Sequence, residues 1–338
     1  MKKVLLVYPG HSFSTIDVAR GWQGALRRAG FEVPHLNHHH NIAFYRLACL
    51  AAEKNNPDFK HKFEDILWLT ANDVIAKAVE LMPLDLVIIV TGLLIHPKAY
   101  EGLRKIGLPI ALILTESPYS DYTQGELAKM VDITFTNDKA SVEYLSQFCP
   151  TYYLPHSWDP ERHYPREVGE EYHHDVFFLG TLYDVREKLF KGVDWTGIDA
   201  RIEGTKLKEL PDQMQIEGAM KNDEVLKHYA GSKIVLNPHK NKALTVQPYS
   251  LGPRTFEAAA CGAFQIISNN RAETKEVFGD ILPVFDGPAE LQELIHYFLE
   301  HDDERKERAR LARACIAEFT FDHRLERIFL PTIKEVLK

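Results

Sequence analysis

Short runs of aliphatic and β-branched residues alternate with amphipathic stretches along most of this chain, and that alternation restricts the fold more than any single motif. Residues 3–8 (KVLLVY), 85–91 (DLVIIVT), 109–115 (PIALILT) and 133–136 (ITFT) carry no charge inside the run. Such runs fit strands of a parallel sheet that is covered on both faces. Between them, residues 16–29 place Ala19, Trp22, Leu26 and Ala29 on one helical stripe, and Ile75, Ala78, Val79 and Met82 repeat the pattern. Strand and helix signals in alternation predict a doubly wound α/β domain.

A second alternating series follows. Residues 175–179 (DVFFL), 200–203, 233–237 (KIVLN) and 264–268 read as strands, and from Pro288 the chain reads as helix, with Leu291, Leu294, Ile295, Phe298 and Leu299 on one stripe. The two series are separated by LPHSWDPERHYPREVGEEYHH, which has three prolines, many charges and no usable period. A chain of 338 residues suits two domains. The expected division is a first Rossmann-like domain at 1–155, a linker at 156–170, a second such domain at 171–320, and a terminal helix at 321–338 returning to the first. Two such domains imply a cleft, with ligands bound beyond the carboxyl ends of the strands.

Forty basic against 48 acidic residues give a net charge of −8, which weighs against a nucleic-acid or anionic-membrane partner, although a local basic patch survives such an average. The four cysteines (Cys49, Cys149, Cys261 and Cys315) show no metal or redox spacing, as in a reduced, cytoplasmic protein. The opening MKKVLLVYPG has too short an apolar run for a signal peptide, and no segment approaches the roughly 20 apolar residues needed to span a bilayer.

Candidate site residues are those directly after strands. In PGHSFST, after the first strand, His11 is either a catalytic or acceptor-binding group or simply solvated; neither a dinucleotide fingerprint nor a P-loop is present. Glu116 and Asp121 lie in TESPYSD, where a strand-end carboxylate suits a general base but serine and proline also make an ordinary turn. Of these three, His11 and Glu116 are favoured over Asp121. In GTLYDVREK, Thr181 and Arg186 are placed to grip a phosphate, or Arg186 is a solvated helix residue. Asn237 and His239 end a strand in IVLNPHK and either bond a ligand or cap a turn. The histidines of HLNHHH have no fixed spacing to a later Cys or carboxylate, so no metal site is assigned.

The stretch SLGPRTFEAAACGAFQIIS holds the remaining candidates. Gly252 and Pro253 open a short helix of Ala-sized residues that Gly262 stops. Arg254 and Glu257 stand about one turn apart on this thin, buried helix, either as an internal ion pair or as ligand groups.

RTFEAAACGAFQIIS resembles the donor-binding segment of GT-B glycosyltransferases of the group 1 type, and most closely the spore-maturation protein CgeB-like family. FFLGTLYDVREKLF, YLPHSWDPERHYP, IVLNPHK, FDGPAELQELIHYFLEHDDERKERARLA and FTFDHRLERIF resemble further segments of that family, in its order. The resemblance spans about 190 residues of the second half; the first half matches in architecture more than in motif.

The resemblance implies a GT-B fold of two facing Rossmann-like domains with a C-terminal crossover helix. It also implies transfer of a sugar from a nucleoside diphosphate donor, with a UDP-sugar as the expected co-substrate, to an acceptor hydroxyl, without a metal or other cofactor. Glu257 would accept hydrogen bonds from the ribose diol, and Arg254 or Arg186 and the helix N-terminus at Gly252 and Pro253 would hold the diphosphate. The donor would bind the second domain and the acceptor, of unassigned chemistry, the first. Many retaining relatives carry a second glutamate eight positions before this one, where this chain has Tyr249, so the stereochemistry stays open. A nucleotide-sugar epimerase and a non-catalytic nucleotide-binding or coat-associated module are the alternatives.

Overall fold

The computed structural model describes residues 2–8, 13–204, 222–240 and 246–337. The chain divides into two compact units, residues 1–155 with 244–247 and 321–338, and residues 156–243 with 248–320. Each is built around its own parallel sheet.

In the first unit the strands are β1 (Val4–Tyr8), β2 (His35–Asn37), β3 (Leu86–Val90), β4 (Ile110–Ile113), β5 (Ile133–Thr136) and β6 (Thr151–Tyr153). They pair in parallel in the order β2-β1-β3-β4-β5-β6. Every residue of β1, β3, β4 and β5 is buried, as their unbroken apolar runs require. Helices α1 (Phe13–Arg28), α2 (His38–Asn55), α3 (Phe63–Glu80), α4 (Pro97–Lys105), α5 (Asp121–Ala128) and α6 (Val142–Leu145) connect them. The topology turns back between β1 and β3, so the loops after those strands flank the natural ligand position. After β3, Thr91 holds φ +61°, a strained value for a β-branched residue.

In the second unit β7 (Val176–Leu179), β8 (Ala200–Glu203), β9 (Ile234–Asn237), β10 (Gln265–Ser268) and β11 (Val284–Phe285) pair in parallel in the order β11-β10-β9-β7-β8. The turning point lies between β7 and β9. Helices α7 (Asp184–Lys191), α8 (Asn222–Gly231), α9 (Pro253–Ala260), α10 (Ala272–Phe278), α11 (Pro288–Glu300) and α12 (Asp302–Cys315) cover the sheet. Helices α7 and α11 pack on one face through Phe190, Leu291, Ile295 and Phe298. Helices α8 and α9 contribute Val225, Tyr229 and Ala258 to a separate cluster with Phe177 and Val235.

The C-terminal segment runs as α13 (Phe321–Arg324), a π-helical turn (Leu325–Phe329) and α14 (Leu330–Val336). It packs on α1, where Trp22 contacts the rings of Phe321 and Phe329, with centroids 5.6 and 5.3 Å away. Arg28 makes a two-pronged pair with Asp322, both distances 2.8 Å. No helix among the described residues is long and apolar enough to cross a membrane.

Candidate functional site

Helix α9 starts where its sequence says it should. Pro253 occupies the first turn, Gly252 precedes it in extended backbone, and no side chain caps the N-terminus. At the other end Gly262, with φ +84°, closes a Schellman-type cap: its N–H donates to Ala259 O, and Ala263 N–H donates to Ala258 O. Thr255, Phe256 and Ala258 to Ala260 are buried, which leaves Arg254 and Glu257 as the half-buried charged members of the helix.

Arg254 reaches across the sheet. Its Nη2 donates to the carbonyl of Leu179, the last residue of β7, and its guanidinium carbon lies 4.9 Å from the centroid of the Phe178 ring. The Nε of Arg254 is buried with no hydrogen-bond partner. Arg186, from the first half of α7, approaches the same ring at 5.4 Å. Its Nε donates to Pro238 O at 2.8 Å and its Nη1 to Thr181 O at 2.9 Å. Both guanidinium groups thus converge on the turn after β7. Gly180 makes room for them, since a Cβ there would sit 2.7 Å from Arg254 Nη2 and 3.3 Å from Arg186 Nη1. Thr181 is exposed and offers its backbone carbonyl to Arg186.

Behind α9, buried Tyr229 of α8 is hydrogen-bonded by Arg254; burial, and after it the charge of Glu257, hold its hydroxyl well above the usual tyrosine range. Neither Gly180 nor Tyr229 stands out in sequence, because each matters only through residues that the fold brings to it.

Asn237 and His239 follow β9. The Asn237 amide donates to Thr255 Oγ1 at 2.7 Å and to Gln265 Oε1 at 3.3 Å, and Gln265 Nε2 donates to Thr255 O at 2.9 Å. This buried network ties the end of β9 to the first turn of α9, so Asn237 aligns the helix. His239 is buried and its backbone N–H donates to Ser268 Oγ at 2.8 Å. Ser268 gives its one proton to Asn270 Oδ1, which leaves the His239 Nδ1–H to donate to Ser268 and makes Nε2 an acceptor. Burial, reinforced by Arg271, Arg186 and Arg254, keeps this imidazole neutral by lowering its pKa well below the usual value.

Arg271, which the sequence did not single out, is buried and donates to Asn270 O and Lys240 O at 2.7 and 2.6 Å, bracing the loop after β9. A cavity of about 330 Å³ opens beside these loops, lined by Arg186, His239, Ser268, Asn270, Asp286 and Gly287 among others.

Tyr249 stands eight positions before Glu257. Its hydroxyl donates to Glu276, and the Leu251 N–H donates to Glu273 Oε2 at 2.6 Å, so α10 anchors the approach to α9.

In the first unit, His11 lies outside the described residues. Glu116 follows β4 on a loop held at several points. Ser117 N–H donates to Asn137 Oδ1 at 3.0 Å and Asn137 Nδ2 returns a bond to Ser117 O at 2.9 Å. Gln124 accepts from Glu116 N–H at 3.4 Å and donates to Ser117 Oγ at 2.9 Å. Asp121 is buried at the start of α5, accepting from Ser141 Oγ at 2.5 Å and Gln124 Nε2 at 3.2 Å. Glu116 and Asp121 therefore have different settings: one is half-buried at a strand end, the other is enclosed in a hydrogen-bond network.

The HLNHHH histidines disperse. His35 bonds Gln23, while His38 is buried at the start of α2 against Leu94 O and Thr70 Oγ1. Among the described residues no group of three or more His, Cys, Asp or Glu side chains is placed to hold a metal ion.

Residues 185–329, from α7 to the turn before α14, match the family model described as "Glycosyl transferase-like". Over 236 residues, 64% of this chain and 72% of the relative, the sequence is 24% identical to the spore protein CgeB of Bacillus subtilis strain 168. Sucrose-phosphate synthase of Thermosynechococcus elongatus superimposes with a TM-score of 0.65 at 10% identity, over 99% of this chain and all of the other. Anabaena HepE, solved in complex with UDP and glucose, does so with a TM-score of 0.64 at 13% identity, again over 99% of this chain and all of that one. The fold is GT-B, and the resemblance drawn from RTFEAAACGAFQIIS, to glycosyltransferases and to CgeB, holds.

Proposed function

We propose, starting from a GT-B chain whose second unit carries a glycosyltransferase-like pattern, that this protein transfers a sugar from a nucleoside diphosphate donor to an acceptor hydroxyl. One observation carries the reading: Arg186 and Arg254 converge on Gly180 beside the uncapped N-terminus of α9, with Glu257 one turn further along the helix. Two guanidinium groups beside the positive end of a helix make a site for a diphosphate. A carboxylate one turn away suits the vicinal hydroxyls of a ribose, because it accepts two bonds and donates none.

In this reading Glu257 orients the nucleotide, and Arg254 and Arg186 stabilise the charge that develops on the departing diphosphate. The guanidinium groups and helix N–H groups supply that positive potential themselves, so the transfer proceeds without a divalent metal. A UDP-sugar is the proposed donor, by analogy with HepE, which was solved with UDP and glucose. His239, held neutral with Nε2 as an acceptor, suits a hydroxyl donor such as a sugar. Acceptor binding is assigned to the first unit, with Glu116 as the candidate base on its braced loop.

The test is a panel of nucleoside diphosphates and nucleotide-sugars, scored by thermal stabilisation and by slow donor hydrolysis, with and without EDTA. Stabilisation by one nucleoside diphosphate series, insensitive to EDTA, with hydrolysis of one sugar donor, is the expected result. No stabilisation by any member would overturn the reading; conversion of the donor to an epimer without an acceptor would replace transfer by epimerisation.

A further inference from the structure

His239 has one ring nitrogen that no protein group meets. Its Nδ1 donates to Ser268 Oγ at 3.3 Å, while its Nε2 is buried without a hydrogen-bond partner. A buried acceptor left unpaired is costly, so its surroundings point to what it binds. His239 stands in the wall of the cavity of about 330 Å³ beside the loops after β9, β10 and β11. That volume is at the lower end of the roughly 300–1,000 Å³ usual for small-molecule pockets, enough for one sugar ring and too little for a whole nucleotide-sugar.

The two faces of the sheet place this cavity relative to the diphosphate position. Phe178 of β7 and Leu236 of β9 point to the face that α7 and α11 cover. Their strand neighbours Phe177 and Val235 point to the face of α8 and α9. The cavity is walled by α7 and by Gly287 and Pro288 at the start of α11, so it lies on the first face. Glu257 rides on α9, which covers the second. Arg186 comes from α7 and Arg254 from α9, and they meet at Gly180 on the end of β7. A diphosphate held there has Glu257 to one side and the cavity to the other.

The wall has the chemistry of a polyol site. Neutral His239 offers an acceptor, and Asp286 offers a carboxylate steadied by Asn269 Nδ2 at 3.1 Å. The Asp286 N–H donates to Glu290 Oε2 at 2.9 Å, which fixes the backbone at this point. Leu189 and Phe285 supply an apolar wall for the C–H face of a ring. Once Arg186 is counted with the diphosphate, the charged members are Lys188 and Asp286, both exposed and of opposite sign. The wall therefore carries no net charge to attract an anionic sugar.

We propose, resting on the donor reading of the second unit, that this cavity receives the donor's sugar as an uncharged hexopyranose, and that His239 and Asp286 select it by accepting hydrogen bonds from its hydroxyl groups. The nucleoside extends the other way, along α9 past Glu257.

Isothermal titration of the full chain with UDP, ADP and GDP, each free and as its glucose conjugate, measures what the sugar adds. UDP-galactose and UDP-glucuronate then vary the sugar. One uncharged conjugate should bind about tenfold tighter than its free diphosphate, and UDP-glucuronate no tighter than UDP. His239→Phe keeps a ring of similar size, and Asp286→Asn alters an exposed side chain. Each should weaken binding of that conjugate about fivefold or more and leave the free diphosphate nearly unaffected. A conjugate whose affinity neither variant alters, or equal losses for conjugate and free diphosphate, would overturn the assignment while the diphosphate site stands. Tighter binding of UDP-glucuronate than of UDP-glucose would overturn the uncharged sugar. Failure of all three free diphosphates to bind would remove the donor site itself, and this assignment with it.

Discussion

Gly180 and Arg254 lie so close that a Cβ on the glycine would stand 2.7 Å from the arginine Nη2. The clash is with the far end of a flexible side chain, but Gly180 also holds φ +159°, which other residues rarely adopt, so Gly180→Ala should both displace Arg254 and strain the turn after β7. Arg254 is then pushed away from Leu179 O and from the diphosphate position. We expect nucleoside diphosphate affinity to fall roughly tenfold or more, the cost of a charge-assisted contact, with a stability loss of about 1–3 kcal/mol from the strained backbone. Isothermal titration with melting curves checks this. Undiminished affinity would mean that Arg254 does not touch the ligand.

Arg186 and Arg254 should not tolerate lysine. Arg186 uses Nε on Pro238 O and Nη1 on Thr181 O, a fork that an ammonium cannot reproduce. Arg186→Lys and Arg254→Lys should each weaken nucleoside diphosphate binding and barely change the weak binding of the bare nucleoside. Equal losses for both ligands would assign the arginines to the fold or to the base.

Glu257→Ala should leave the fold intact, because the residue is half-buried on a helix whose packing face is made by Thr255, Phe256 and the alanines. Donor affinity should fall by about one to two orders of magnitude, as for loss of a charged hydrogen-bond acceptor at roughly 1.5–3 kcal/mol. Unchanged calorimetric affinity would leave Glu257 with an internal role.

Eight of the described strands were legible, most because both-face burial leaves unbroken apolar runs, and 200–203 and 133–136 coincide with β8 and β5; the short β2, β6 and β11 carry no such run and were not read. Helix α2 was not, since its apolar residues lie on two sides and form no single stripe. Within the site, spacing alone set Arg254 and Glu257 on one helix. The partner of Arg254 is Leu179 O, 75 positions away, and no local pattern encodes it. Asn237 and Asp121 looked like ligand groups because strand-end amides and carboxylates often are. Their bonds to Thr255 and to Ser141 exist only once the tertiary fold has formed.

The second unit should be acid-labile. Burial lowers the pKa of His156 to about 4 and those of His163 and His228 to about 3, and that of His239 falls well below the usual value. In the unfolded chain each imidazole titrates near 6.5, so between about 4 and 6.5 the unfolded state binds protons that the native state refuses. Stability is therefore full above pH 7 and falls as the solution is acidified through this window, by up to about 1.4 kcal/mol per pH unit for each histidine. His228 stacks on Phe177 at 4.8 Å, and its Nδ1 has no hydrogen-bond partner, so His228→Phe should keep the packing and remove one titration. Guanidinium unfolding at pH 5 and pH 8 should show a smaller pH difference for this variant. An unchanged difference would mean that His228 is not buried neutral.

The last prediction separates Glu116 from Asp121. Both are carboxylates on the segment after β4, but Asp121 is enclosed and accepts from Ser141 and Gln124, whereas Glu116 sits on the loop that Asn137 clamps through both backbone groups of Ser117. If Glu116 is the general base, Glu116→Gln should lower turnover by roughly 100-fold or more with donor affinity preserved. Asp121→Asn should act on stability, costing about 1–3 kcal/mol for a buried charged acceptor, and turnover per folded molecule should hold. Asn137→Ala releases the clamp while leaving the Glu116 carboxylate in the chain. It should lower kcat more than donor affinity, and its pH–rate profile should keep the wild-type shape, because the base is misplaced rather than lost. If Glu116→Gln, His11→Ala and Asp121→Asn all retain full turnover, the departing phosphate itself takes the acceptor proton. NMR of the product should then show a retained anomeric configuration.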